Sequence, residues 1–209
     1  MDKYRQKYRI KSTRLPYWDY GSNGYYFVTI CTKEKVHWFG KVINCRGTKS
    51  CVSTKDAPHM ALSPIGKIAR KCWTEITHHF PFVTLDEFIV MPNHVHGIII
   101  IDKPHVETHN HASLQSNGNR FGSQSKNLAS IIRGYKIGVT KSARKINLNF
   151  SWQPRFHDHV IRNESALNQI RTYIQFNVEK WEYDRENAND IPIAIKRNVW
   201  KSLKETCLT

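Results

Sequence analysis

The chain has 209 residues, 40% of them apolar, which is enough for one well-buried domain with extensions and too few for two full domains. Thirty-two Lys and Arg against 17 Asp and Glu leave a formal charge of +15, whose natural counter-surface is a polyanion such as nucleic acid, with anionic membrane as the competing partner. No apolar stretch approaches the roughly 18 to 20 residues of a membrane span, the N-terminal residues lack the apolar core of a secretory signal, and five cysteines without a C-x-x-C pair form neither a disulfide framework nor a zinc ribbon. The expectation is a soluble intracellular protein with reduced thiols.

Residues 1–23 read as a basic arm. Lys3, Arg5, Lys7, Arg9 and Lys11 fall on alternate positions, followed by Arg14, with Tyr4, Tyr8, Tyr17 and Trp18 nearby. An extended arm would present a row of cations suited to phosphate tracking and aromatics suited to base stacking; a solvated tail explains the same composition equally well. Tyr25 to Thr32 is rich in β-branched and aromatic residues and predicts a first strand, centrally placed. Lys41 to Asn44 is a short strand candidate within a turn-rich stretch that runs to Ala61.

Ser63-Pro64 opens a helix in the favoured order of cap and first position, and Ile65, Ile68, Ala69, Cys72, Trp73 and Ile76 repeat at helical spacing until Phe80-Pro81. Val83 to Met91 and His94 to Ile101 predict two strands joined by a turn at Pro92-Asn93, an antiparallel hairpin. Residues 102–125 are polar and read as a mobile loop. Leu128, Ile131, Ile132, Tyr135, Val139 and Ala143 mark a second helix whose charges, Arg133 and Lys136 among them, are all positive. Phe156 to Arg162 predicts a fourth strand, and Asn163 caps a helix that carries Leu167, Ile170, Tyr173, Ile174, Asn177, Val178 and Trp181. From residue 182 the chain reads as a C-terminal tail. The order of elements favours an α+β, ferredoxin-like (RRM-like) antiparallel sheet of four to five strands backed by helices, within residues 24–181.

Three His-x-His pairs occur: His94/His96, His109/His111 and His157/His159. Only the first lies in a rigid apolar strand, where alternation puts both imidazoles on one face, as a metal site requires. Two such histidines more often face solvent or satisfy core hydrogen bonds. Tyr173 and Asn177, four residues apart on a helix, set a phenol beside a carboxamide whose oxygen suits a third ligand to Mg²⁺ or Mn²⁺. A packing tyrosine and a surface amide are the plainer readings. The chain shows neither a P-loop nor an H-E-x-x-H signature, so no nucleotide cofactor is expected.

Several segments, in order, carry a resemblance: Tyr26-Phe27-Val28-Thr29-Ile30-Cys31-Thr32, Leu62-Ser63-Pro64-Ile65-Gly66, Phe88 to Gly97 with Pro92-Asn93-His94-Val95-His96 at its centre, Ile131 to Lys136, Val160-Ile161-Arg162, and Tyr173-Ile174 with Asn177 and Trp181. Over about Leu15 to Trp181 the chain resembles the His-hydrophobic-His single-strand DNA endonucleases. It is most similar to insertion-sequence-200-type transposases, in the branch of tyrosine transposases associated with repetitive extragenic palindromes (REP). The resemblance implies His94 and His96 as a metal pair, Asn177 as the amide ligand and Tyr173 as the nucleophile. It further implies Mg²⁺ or Mn²⁺ as cofactor, a 5′-phosphotyrosine intermediate, and single-stranded or hairpin DNA as partner. The DNA would be held by Lys3, Arg5, Lys7, Arg9, Lys11, Arg14, Arg133 and Lys136. A monomer or homodimer in a bacterial-type cytoplasm, associated with the nucleoid, is the corresponding expectation. Val178 stands where family members often have Pro, and residues 41–61 and the loop after Ile101 look expanded, so substrate contacts there do not carry over. The alternatives are a non-catalytic ferredoxin-like nucleic-acid-binding module using Tyr25, Phe27 and the basic helix, and a replication initiator of the same chemistry.

Overall fold

The structure is a computed structural model that describes residues 3–4, 7–8, 14–15, 17–43, 57–104, 125–188 and 191–206. Most of the expected basic arm, including Arg5, Arg9 and Lys11, and nearly all of the expected mobile loop, with His109 and His111, lie outside the described residues. Of the arm, Lys3–Tyr4 pairs antiparallel with Lys7–Tyr8.

The main sheet is built from β1 (Gly24–Cys31), β4 (Val83–Val90), β5 (His94–Ile101) and β6 (His157–Ile161), all antiparallel, in the spatial order β4-β5-β1-β6. With α1 (Pro64–Thr74) and α3 (Leu128–Ala143) as crossovers, this is the expected α+β ferredoxin-like arrangement, with β1 inside the sheet. A separate ribbon pairs β2 (Gly40–Ile43) with β3 (His59–Leu62), and a single turn of helix, α2 (Ile76–His79), follows α1.

Alternation decides what each face carries. In β1, Tyr26, Val28 and Ile30 point into the larger core with Val95, Ile99, Trp73, Ile131, Ile132 and Tyr135, where α1 and α3 pack. On the opposite face Phe27 and Ile98 meet α4 (Glu164–Gln175) through Leu167, Ile170 and Ile174. Both faces of β5 are therefore covered, which explains its almost unbroken apolar run.

Helix starts follow the sequence closely. Ser63 Oγ accepts from Gly66 N–H ahead of Pro64, Asn127 and Ser130 form a reciprocal capping box, and Asn163 accepts from Ala166 N–H at 2.8 Å. The end of α4 does not. The expected helix through Asn177 and Trp181 stops at Gln175, with Phe176 at its C-cap, because the Asn177 carboxamide turns inward to bond a later carboxylate. Turns and a short 3₁₀ segment at Trp181–Tyr183 follow, and the stretch read as a tail also carries α5 (Ile193–Thr206). No helix among the described residues is long and apolar enough to cross a membrane.

Candidate functional site

His94 and His96 are buried on the α4 side of β5, with ring centroids 4.3 Å apart. The Asn93 carboxamide nitrogen donates to the backbone oxygens of Lys35 (3.2 Å) and Glu186 (2.9 Å), so its oxygen is the atom facing His94 Nδ1 at 2.8 Å. His94 therefore carries its proton on Nδ1 and presents a bare Nε2. That nitrogen is buried with no hydrogen-bond partner. Burial, and then the neighbouring His96, push the His94 pKa well below its ordinary value, so the ring is neutral, as a metal ligand must be. His96 is held by Thr29 Oγ1 on its Nδ1 at 2.9 Å and by stacking on Phe27.

Tyr173 arrives from α4, the helix anchored to β4 by the paired contacts of Arg171 with Asp86. Its hydroxyl lies 3.1 Å from His96 Nε2 and donates to Asp184 Oδ2 at 3.1 Å. Burial, followed by the Asp184 charge, pushes the phenol well above its ordinary pKa, so the resting group is protonated. Asn177 is fully buried; its amide nitrogen donates to Asp184 Oδ2 at 3.0 Å, while its oxygen has no partner.

Asp184 is the residue that sequence reasoning missed. It is fully buried, accepts from Glu186 N–H at 2.6 Å and lies 3.9 Å from His96 Nε2. Burial pushes its carboxyl up, but the contacts with His96 and the Glu186 N–H outweigh this and hold it below the usual carboxylate range. Ligand atoms of His94, His96 and Asp184 all lie within 4.8 Å of one another. The segment that carries Asp184 closes over the site: Trp181 lies 6.0 Å from the His94 ring, and Glu186 pairs with Lys35 and accepts from the Cys31 thiol. Burial, then Glu186, pushes that thiol up to about 12, so Cys31 is neither a nucleophile nor a thiolate ligand here.

Two imidazole nitrogens and a carboxylate form a mixed donor set that could hold a metal ion. The unpartnered His94 Nε2 and Asn177 Oδ1 are polar atoms that otherwise bear a desolvation cost with no return.

The cations expected to bind DNA lie elsewhere. Arg14 pairs with Asp158 at 3.2 Å and sits over the rings of Tyr20 and Phe156. Lys136 donates to the backbone oxygens of Gln153 (2.8 Å) and Arg155 (2.6 Å), and burial lowers its pKa to about 8. Arg133 is exposed on α3, across the sheet from Tyr173. Only the backbones of Lys3 and Lys7 are described. On the edge strand, His157 and His159 register with Thr29 and Phe27, which puts them on the same face as His96.

No protein-family model matches the chain. An uncharacterized protein of Haemophilus influenzae is 38% identical over 177 residues, covering 84% of this chain and 91% of that protein. Among solved structures, a REP-associated tyrosine transposase bound to a REP hairpin is similar at 19% identity and a TM-score of 0.49, over 84% of this chain and 77% of that one.

Proposed function

We propose that this chain, which belongs to the same family as that Haemophilus influenzae protein, is a metal-dependent tyrosine transposase that cuts and rejoins single-stranded DNA beside a hairpin. One observation carries the reading. The Tyr173 hydroxyl stands 3.1 Å from both His96 Nε2 and Asp184 Oδ2, in a buried cluster whose remaining polar atoms, His94 Nε2 and Asn177 Oδ1, have no partner. A packing tyrosine does not need a buried histidine and a buried acid at its hydroxyl, and such a cluster is costly unless it is used.

In this reading His94, His96 and Asp184, with Asn177 as the amide donor, would hold a divalent ion, which would withdraw charge from a scissile phosphate. Tyr173 attacks phosphorus, forming the Oη–P bond of a 5′-phosphotyrosine while the P–O3′ bond breaks and the 3′-oxygen leaves as an alkoxide that takes a proton from water. Asp184, already accepting the phenol's hydrogen bond, is placed to take its proton. The phosphodiester energy is stored in the adduct, and attack by another 3′-hydroxyl reverses the step without a nucleotide. Single-stranded substrate follows because one tyrosine needs an accessible backbone.

The rival reading as a non-catalytic binding sheet needs Phe27 free for a base. Phe27 instead stacks on His96 at 5.3 Å and meets Tyr173 edge-on at 6.0 Å. The test is incubation with labelled hairpin DNA carrying a single-stranded flank, in Mn²⁺, followed by a denaturing gel and mapping of the DNA-linked peptide. Wild type should give an adduct on Tyr173, and Tyr173→Phe should give none while still binding the hairpin. An adduct formed by the Phe variant, or mapped to another residue, overturns the reading.

A further inference from the structure

The sheet face that carries His96 extends one strand beyond the cluster around Tyr173. Thr29 on β1 registers with His96 of β5 on one side and with His157 of β6 on the other. All three side chains project from the same face, so His96, Thr29 and His157 form one row across three strands. At the usual spacing of paired strands, the Cα atoms of the two histidines lie roughly 10 Å apart.

The members of this row differ in access. His96 and Thr29 are buried, with Thr29 Oγ1 2.9 Å from His96 Nδ1, whereas His157 is exposed. On one side α4 covers the neighbouring row at Phe27 and Ile98; on the other, the segment carrying Asp184 and Glu186 closes over His94 and Cys31. Among the described residues β6 pairs only with β1, so the row opens to solvent at the edge where His157 stands.

Cleavage as read above needs two proton transfers, and the buried cluster provides for one. Asp184 accepts the hydrogen bond of the Tyr173 hydroxyl and takes its proton. The departing 3′-oxygen needs a proton of its own. In an in-line displacement the attacking and leaving oxygens stand on opposite sides of phosphorus, so a donor for the second stands across the phosphate from Tyr173 and Asp184. Groups within the cluster do not serve. His94 and His96 offer their nitrogens as ligands, Lys35 pairs with Glu186 on the closing segment, and burial with Glu186 pushes the Cys31 thiol up to about 12. Arg162, from the end of β6, lies over the Trp18 ring.

We propose that His157 is the general acid for the leaving group. Its imidazolium N–H gives a proton to O3′ as the P–O3′ bond breaks, in place of water, and the ring is left neutral. In the reverse step the neutral ring takes the proton of the attacking 3′-hydroxyl while Asp184 returns its proton to Tyr173, so the protons balance over the two steps. The separation of roughly 10 Å between the two backbones leaves room for one phosphate between the imidazoles. His159 registers with Phe27 and so stands one row further from His96. The inference rests on the reading of Tyr173 as the nucleophile.

The test uses hairpin DNA with a single-stranded flank in which the bridging 3′-oxygen at the cut position, mapped first with unmodified DNA, is replaced by sulfur. A thiol such as that of cysteine ionises near ~8.5 and so departs without a proton donor, which an alkoxide does not. With Mn²⁺ throughout, His157→Gln should slow adduct formation on the oxygen substrate by roughly 10²- to 10⁴-fold and act on the sulfur substrate at the wild-type rate. His159→Gln should match wild type on both. An oxygen-substrate rate equal to wild type, an equal loss on both substrates, or the same oxygen-selective loss in His159→Gln overturns the proposal. Wild type that forms no adduct on either substrate removes the nucleophile reading itself, and the proposal with it; the other outcomes all require a wild-type adduct and bear on His157 alone.

Discussion

His94 Nδ1 stands 2.8 Å from Asn93 Oδ1, so the last residue of the β4–β5 turn sets the tautomer of the imidazole that follows it. This is the outer-sphere orientation typical of metal-binding histidines, built between neighbours in sequence. Because Asn93 is itself tied to Lys35 and Glu186, the ring is held at one end by backbone from two distant segments.

Asn93→Ala should therefore weaken Mn²⁺ binding by about 10- to 100-fold while leaving both histidines in place. Calorimetric titration of the folded variant measures this. An affinity equal to wild type would show that the carboxamide does not orient a ligand.

Asp184→Asn keeps the shape of the side chain and removes its charge. If the carboxylate takes the phenol's proton, the rate of adduct formation should fall by roughly 10²- to 10⁴-fold with hairpin affinity little changed. Single-turnover kinetics on labelled DNA would give the rate, and a variant as fast as wild type would reduce Asp184 to a packing group.

The histidine pair was legible because a strand's alternation needs only local sequence, and the turn at Pro92-Asn93 set where that strand begins. Tyr173 was legible for a similar reason, as a polar-tipped residue on a clearly patterned, capped helix. Asn177 and Tyr173 both meet the Asp184 carboxylate, although the helix expected to carry Asn177 ends two residues earlier. Asp184 was not legible: its burial comes from a return of the chain after the 3₁₀ turn, and nothing in Asp184-Arg185-Glu186 distinguishes it from a solvated run. Arg14 and Lys136 show the limit for charge. Composition reveals an excess of cations, but which of them meet a carboxylate or a carbonyl within the protein depends on tertiary contacts.

Arg171 and Asp86 give a pH-dependent handle on the docking of α4. Burial pushes the Asp86 carboxyl up, and the hydrogen bonds from Arg171 and the Glu87 N–H outweigh it, leaving the acid below its ordinary value. A carboxyl depressed in the folded state stabilises the protein above the unfolded-state value near ~3.9, and that contribution is lost as pH falls through the folded-state value. Arg171→Gln should accordingly cost less than about 1 kcal/mol at pH 7, since the guanidinium is 35% exposed, and the gap from wild type should close below about pH 4. Urea unfolding at both pH values tests the sign; a gap that widens in acid would contradict it.

Gly97 follows the histidine pair for a steric reason on the other face of β5. A Cβ built there would lie 2.2 Å from Cζ2 and 2.8 Å from Cη2 of Trp73, whose side chain is fully buried, and 3.0 Å from Cβ of Phe88. Trp73 also packs against Tyr135 and Phe88, so it has no free direction in which to retreat. Gly97→Ala must then move β5 or expel the indole, at a cost of about 1 to 3 kcal/mol. Because β5 carries both imidazoles, the same shift should weaken Mn²⁺ binding, which depends on ligand placement to a fraction of an ångström. Trp73→Phe in the Gly97→Ala background removes the colliding atoms and should recover part of both stability and metal affinity. Thermal melts and calorimetry on the single and double variants measure the two effects, and a double variant no better than Gly97→Ala would mean that the glycine serves another purpose.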